Sequence, residues 1–146
     1  MKIFIKTLVE NDYKTIESKF DKELFIKLSP PLMKLSVDRF DGCKKGDEVH
    51  LRMNLFNLLN QKWISVITAS ESNNNEFYFI DEGTVLPPPL KKWKHVHRVE
   101  KINETHSYVI DDIEYSTGNI ILDNTIFPVL YSMFFFRKHI YQSELS

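Results

Sequence analysis

The stretch KKWKHVHRVEK, residues 91–101, decides how the rest of the chain is read. Side chains alternate along a strand, so Trp93, His95, His97 and Val99 share one face while Lys92, Lys94, Val96 and Arg98 share the other. The basic face belongs to water, and the two histidines therefore point into the protein. HSYVIDDIEYS follows across a tight turn at Asn103-Glu104-Thr105. A three-residue loop there sets His97 opposite Asp111, His95 opposite Ile113 and Trp93 opposite Tyr115. A two-residue loop would slip the register by one and bring Asp112 opposite His95. The first register is preferred because it gives a mainly apolar inner face of Val109, Asp111, Ile113 and Tyr115.

Upstream, KIFIKTLV alternates apolar with polar residues and reads as a strand. Asn11 or Asp12 caps a short helix with Tyr13, Ile16 and Phe20 on one side, and Asp21 caps a second that must stop at Pro30-Pro31. PLMKLSVDRF, DEVHLRMNLF, QKWISVITAS and NEFYFIDEG are strands separated by Asp41-Gly42, Lys45-Gly46, Leu59-Asn60 and Asn73-Asn74-Asn75. In the second of these, Val49, Leu51, Met53 and Leu55 form a buried face and His50, Arg52 and Asn54 a wet one. From about Asn119 the period becomes helical, through Leu122, Ile126, Val129 or Leu130, Met133, Phe136 or Arg137 and Ile140. Pro128 predicts a kink or a restart within this helix. Phe134, Phe135 and Phe136 cannot all share one stripe, so an exposed Phe134 or Phe135 is available to a partner chain.

Composition narrows the function classes. With 146 residues, residues 1–146 are expected to form a single domain. A net charge of -1 with interspersed lysines and acids provides no stripe for a phosphate backbone, which argues against nucleic acid. No apolar run reads as a signal peptide or approaches a span of roughly 20 residues, so no membrane insertion is expected and the location is read as cytoplasmic. Cys43 is the only cysteine, which excludes an internal disulfide and a multi-cysteine metal cluster. The aromatic surplus, 11 Phe, 6 Tyr and 2 Trp, lines a pocket or packs a dense core.

The order strand, two short helices, antiparallel strands and long terminal helix resembles the helix-grip fold of the START-like (SRPBCC) superfamily. Leu28-Ser29-Pro30-Pro31, Asp81-Glu82-Gly83, Trp93-Lys94-His95-Val96-His97, Asp111-Asp112-Ile113-Glu114-Tyr115 and Phe136-Arg137-Lys138 are similar to the ligand-binding SRPBCC, polyketide cyclase-like branch. There W-x-H-x-H and D-x-V-x-Y strands and a terminal arginine recur. This chain departs from the pattern in its Pro87-Pro88-Pro89 turn and in lacking a proline and glycine pair after the D-x-V-x-Y strand. The resemblance implies an α+β fold, with a curved antiparallel sheet wrapped around the last helix. It also implies a cavity for a small hydrophobic or amphipathic ligand, and no single chemistry.

Trp93, His95, His97, Asp111, Ile113, Tyr115, Met133 and Arg137 are the candidate cavity residues, with Phe77 and Phe79 as apolar walls. The histidines admit three readings. As metal ligands they supply two nitrogens where zinc needs at least three protein ligands, so no metal is assigned. As catalysts, His97 oriented by Asp111 would move a proton in a cyclase or dehydratase, with Tyr115 or Arg137 polarising an oxygen. As structure, they form a self-satisfied polar cluster that can orient a ligand's polar end, and this reading is favoured. Arg137 would bind a ligand carboxylate or pair with Asp111, Asp112 or Glu114. Asp81-Glu82, ending a strand before Gly83, reads as an acidic rim or, in preference, a solvated loop; Cys43 reads as a loop cysteine, since the two lysines beside it favour thiolate but nothing in the sequence supplies a general base. Leu86-Pro87-Pro88-Pro89 is expected to stiffen the chain near the cavity mouth. The functional expectation is ligand binding without a cofactor, by a monomer or homodimer; a cyclase or dehydratase and an aromatic dimerisation module are the alternatives.

Overall fold

Alternation and side-chain caps build the elements in the expected order. The computed structural model describes residues 1–31, 33–55 and 59–146, with the side chain of Leu55 outside that set. In β1 (Lys2–Val9) Ile3, Ile5, Thr7 and Val9 turn inward. Asp12 accepts from the amides of Lys14 and Thr15 to start α1 (Tyr13–Ser18), and Asp21 accepts from that of Leu24 to start α2 (Lys22–Lys27). Helices this short are not stable alone. They are held by burying Tyr13, Ile16, Leu24 and Leu28 against the sheet.

The sheet contains β1, then β2 (Met33–Phe40), β3 (Glu48–Leu55), β4 (Leu59–Ser72), β5 (Glu76–Val85), β6 (Lys92–Lys101) and β7 (Ser107–Ser116). All neighbours are antiparallel, in the spatial order β1-β7-β6-β5-β4-β3-β2. Leu59 and Asn60, expected as a turn, already pair with Leu55 and Asn54, because the β3–β4 ladder extends further than their composition indicated. Leu32 and Phe56, placed by sequence at strand ends, lie outside the described residues. The β6–β7 register is the preferred one: His97 faces Asp111, His95 faces Ile113 and Trp93 faces Tyr115. Register shifts at Thr68 of β4 and Thr84 of β5 bracket Ser65 and Asp81, where such bulges bend and re-aim a strand.

α3 (Ile120–Leu145) begins at a pinned junction. Asn119 caps it by accepting from the amides of Ile121 and Leu122. Thr117 N–H donates to Asp123 Oδ1 at 2.6 Å and the Tyr115 hydroxyl donates to the Asp123 carbonyl at 2.7 Å. Gly118, at φ 81, turns the chain in the left-handed region where a side chain would be strained. These contacts fix the helix entry without a proline and glycine pair. The helix runs unbroken through Pro128 and does not restart there. Its buried residues are Asp123, Phe134, Tyr141 and Leu145, whereas Val129 and Phe136 of the expected stripe are exposed. Phe134 is therefore a core residue and not a free surface ring; its neighbour Phe135 is the exposed one. By length and composition α3 also meets the test for a bilayer-crossing helix, which the sequence did not lead us to expect. A core helix meets the same test; α3 packs on β1 and β7, with 11% of the tested stretch buried.

Two apolar clusters result. One joins Val9, Ile16, Leu24, Ile67, Phe77, Phe79 and Leu145; the other joins Ile3, Ile5, Trp93, Ile113, Tyr115 and Phe134. His95, His97 and Asp111 lie buried where the two meet.

Candidate functional site

α3 rests on β1 and β7, and a cavity of about 260 Å³ lies between the helix and the β2 to β6 part of the sheet. Leu35, Val49, Leu51, Met53 and Trp63 form one wall; Trp93, Leu130, Met133 and Phe134 form another. Pro30, Pro87 and Leu90 add loop residues, so the proline segment does border the cavity. Ser29, Ser65, Asp81, His95, His97 and Arg137 supply its polar part.

The ladder explains why the polar groups meet. One row across the sheet runs Ile113, His95, Asp81 and Ile67; the next runs Ile5, Asp111, His97 and Phe79. Arg137 enters from α3, one turn beyond Phe134, with its guanidinium carbon 4.3 Å from the Phe134 ring centre. Asp111 Oδ1 is the common acceptor for His95 Nε2 at 2.8 Å and the Tyr141 hydroxyl at 3.2 Å, with Arg137 Nη1 in ionic contact at 3.8 Å. The pairing of Arg137 with Asp111 is one of those its sequence position offered. The His–Asp hydrogen bond, however, belongs to His95 and not to the His97 of the catalytic alternative. The reason is geometric, because the Asp111 side chain reaches diagonally while His97 stacks on Phe79 with ring centres 4.4 Å apart.

Burial holds both imidazoles well below their ordinary range, with Arg137 acting in the same direction on each and His95 adding to the effect on His97. The neutral form is thereby favoured at both, and in its Nε2–H tautomer His95 donates to the Asp111 carboxylate. Burial pushes Asp111 up, while Arg137, His97 and Tyr141 hold it back. Asp81 is pushed up to about 7 by burial, against the pull of Ser65 and Arg137, with Glu82 adding to the rise. Its side chain faces the cavity void within the protein, which is why it is half-buried by surface yet poorly solvated. The expectation of a solvated loop is thus overturned for Asp81. Cys43 lies in the loop between β2 and β3, as expected; burial pushes its thiol up to about 12, with Asp47, Asp81 and Asp21 reinforcing the shift, so its lysine neighbours do not produce a thiolate.

Of the residues singled out from sequence, Trp93, His95, His97, Met133 and Arg137 line the cavity. Phe79 lines a small adjacent pocket together with His97 and Asp81. Asp111, Ile113, Tyr115 and Phe77 are buried behind these walls: Asp111 supports His95, Tyr115 anchors α3, and Ile113 and Phe77 fill the two cores. Sequence reasoning missed Ser65 and Tyr141 and left Asp81 outside its cavity residues. Asp81 had a signal, since it continues the inward alternation of Phe77 and Phe79; Tyr141 lies four residues after Arg137 and seven after Phe134, on the same helix face. Ligand atoms of His95, His97 and Asp111 lie within 4.8 Å of one another, as a metal triad would require. Arg137 already provides the positive charge beside that carboxylate, which disfavours a dication there.

No family model and no curated protein matches the chain. Solved structures do. A START superfamily protein from Mycobacterium smegmatis superposes with a TM-score of 0.65 at 12% identity, covering 99% of each chain. The di-domain ARO/CYC BexL of the BE-7585A biosynthetic pathway gives 0.60 at 14%, covering 95% of this chain and 45% of that one. Norcoclaurine synthase from Thalictrum flavum, in complex with dopamine and hydroxybenzaldehyde, gives 0.57 at 12%, with 79% and 68% covered. The sheet, the two short helices and the long terminal helix of this chain are the helix-grip fold of START-like proteins.

Proposed function

We propose that this protein binds a small, largely apolar ligand in the cavity between the sheet and α3, with the ligand's polar end toward Arg137, His97 and Asp81. The observation that carries this reading is a void of about 260 Å³ whose walls are mainly apolar, with Asp81, His95, His97 and Arg137 among its few polar lining groups. An engineered cavity of about 150 Å³ holds benzene, so this one suits a body of roughly one to two rings. The dopamine and hydroxybenzaldehyde bound by a protein of similar fold are in that size range. Native mass spectrometry of the protein purified from its own host tests the proposal. A stoichiometric small molecule, displaced in a Leu51→Trp variant that fills the cavity, is the expected result. An empty protein that also takes up no neutral aromatic probe would refute it.

The buried His95–Asp111 pair supports a second reading, acid–base catalysis of the cyclase or dehydratase kind. In it His95, oriented by Asp111, exchanges a proton with a substrate in the cavity. His95→Gln would then retain ligand affinity within a few-fold while losing turnover. Parallel loss of binding, with no turnover in the parent protein, would return the site to a carrier.

A further inference from the structure

Five buried polar atoms of residues that line this one cavity lie outside hydrogen-bond geometry with any partner: Ser29 Oγ, Ser65 Oγ, Asp81 Oδ1, His97 Nδ1 and Arg137 Nη1, although Ser65 sits near enough to Asp81 to hold its carboxyl down. Buried polar groups are almost always satisfied, so their concentration around one cavity marks where another molecule's polar group completes them. Ser65 is 1% exposed and His97 7%, which leaves bulk water little part in satisfying them.

The set is rich in donors. Arg137 has a charge partner in Asp111, but at 3.8 Å that contact is not a hydrogen bond, and the same oxygen already accepts from His95 and Tyr141. Arg137 Nη1 is thus left without a hydrogen-bond partner beside the cavity, its other near neighbour being the Tyr141 hydroxyl. Both serines carry hydroxyl donors, and Asp81 becomes a donor whenever it is protonated. Among the described lining residues Arg137 is the cation, and the two imidazoles are neutral. Such a wall fits a group that only accepts hydrogen bonds and bears negative charge.

We propose that the ligand is an organic carboxylate with a one- or two-ring hydrocarbon body, its carboxylate set against Arg137 and Ser65 and its rings between Trp93, Leu51 and Met133. This inference rests on the cavity being a ligand site. Asp81 makes the binding pH-dependent. It is faced by Ser65 of β4, His95 of β6, Arg137 of α3 and, across the small adjacent pocket, Cys43; Glu82 is its charged neighbour on β5. A bound carboxylate favours the protonated form of Asp81, so binding takes up a proton and strengthens as the pH falls from about 8 to about 6.

Isothermal titration with 2-naphthoate and its neutral partner naphthalene-2-carboxamide tests this. The carboxylate should bind at least about tenfold tighter near pH 6, with proton uptake that disappears in Asp81→Asn. Arg137→Met should abolish the preference. Should that variant not fold, the ratio of the two affinities in Ser65→Ala should fall several-fold. Equal binding of both probes, or a ratio unchanged in a folded Arg137→Met or in Ser65→Ala, would overturn the carboxylate assignment while leaving the cavity a ligand site. Failure of both probes to bind would overturn the two readings together.

Discussion

His95 Nε2 lies 2.8 Å from Asp111 Oδ1, although the residue directly across the β6–β7 ladder from Asp111 is His97. This diagonal bond makes Asp111, which is 1% exposed, the shared anchor of a β6 imidazole and two α3 side chains, Arg137 and Tyr141. Removing one partner of a buried charged network costs about 3–5 kcal/mol, because the remaining charge stays buried and unpaired. Asp111→Ala should lose stability on that scale. Asp111→Asn retains an acceptor for Tyr141 and should lose distinctly less. Urea denaturation of both variants checks this, and equal small losses would show that the network does not hold α3 to the sheet.

The buried acids and imidazoles of the cavity give opposite pH dependences. Asp81 is raised from an ordinary 3.8 to about 7, so between those values the folded protein binds a proton that the unfolded chain does not, and its contribution to stability is lost as the pH rises. The full shift corresponds to about 4 kcal/mol as an upper figure. His95 and His97 are depressed below 6.5, so on acidification the unfolded chain takes up protons that the folded protein refuses, and stability falls as the pH drops below 6.5. Asp81→Asn should therefore be more stable than the parent near pH 8 and nearly equal near pH 4. His97→Gln should lose less stability than the parent on going from about pH 7 to pH 5. Denaturation midpoints across this range provide the measurement, and an Asp81→Asn curve parallel to that of the parent would show that Asp81 is solvated.

Adjacent phenylalanines of α3 should behave very differently. Phe134 packs with its ring centre 5.7 Å from Trp93 and 5.3 Å from His95, and it lies under the Arg137 guanidinium. Phe135 is 51% exposed and stacks only along its own helix on Tyr131. Phe134→Ala should cost about 3–5 kcal/mol, as deletion of a core aromatic does. Phe135→Ala should remain within about 0.5 kcal/mol. Thermal melts at two protein concentrations separate this from self-association: a concentration-dependent loss in Phe135→Ala would assign that ring to a homodimer contact.

Much of this was legible in the sequence, for reasons that individual residues make plain. Strict alternation placed Trp93, His95 and His97 inward, and the mainly apolar face of Val109, Asp111, Ile113 and Tyr115 selected the register that pairs His97 with Asp111. Backbone register, however, does not determine side-chain reach, so the hydrogen bond from His95 to Asp111 could not be read from a rule about opposite pairs. Asp81 obeyed the same alternation as Phe77 and Phe79, but its place beside Glu82 and Gly83 resembled a strand end in water. On α3 several apolar stripes were available, because Val129, Leu130, Phe134, Phe135 and Phe136 are all apolar. Only packing against β1 and β7 selects the one through Phe134, Tyr141 and Leu145.

Tyr115 shows how a residue chosen for the cavity serves the helix instead. Its hydroxyl donates to the Asp123 carbonyl at 2.7 Å within a side chain that is 1% exposed, while Thr117 N–H holds the Asp123 carboxylate. Tyr115→Phe keeps the ring and removes only the donor, leaving a buried carbonyl in the first turn of α3 without that bond. The carbonyl keeps its helical bond from the Phe127 amide, so a loss of about 0.5–1.5 kcal/mol is expected. The loss should be local as well as global: amide exchange in the first turns of α3 should accelerate more than exchange in β6. Faster exchange spread evenly over the sheet and helix would instead mean that Tyr115 acts only through core packing.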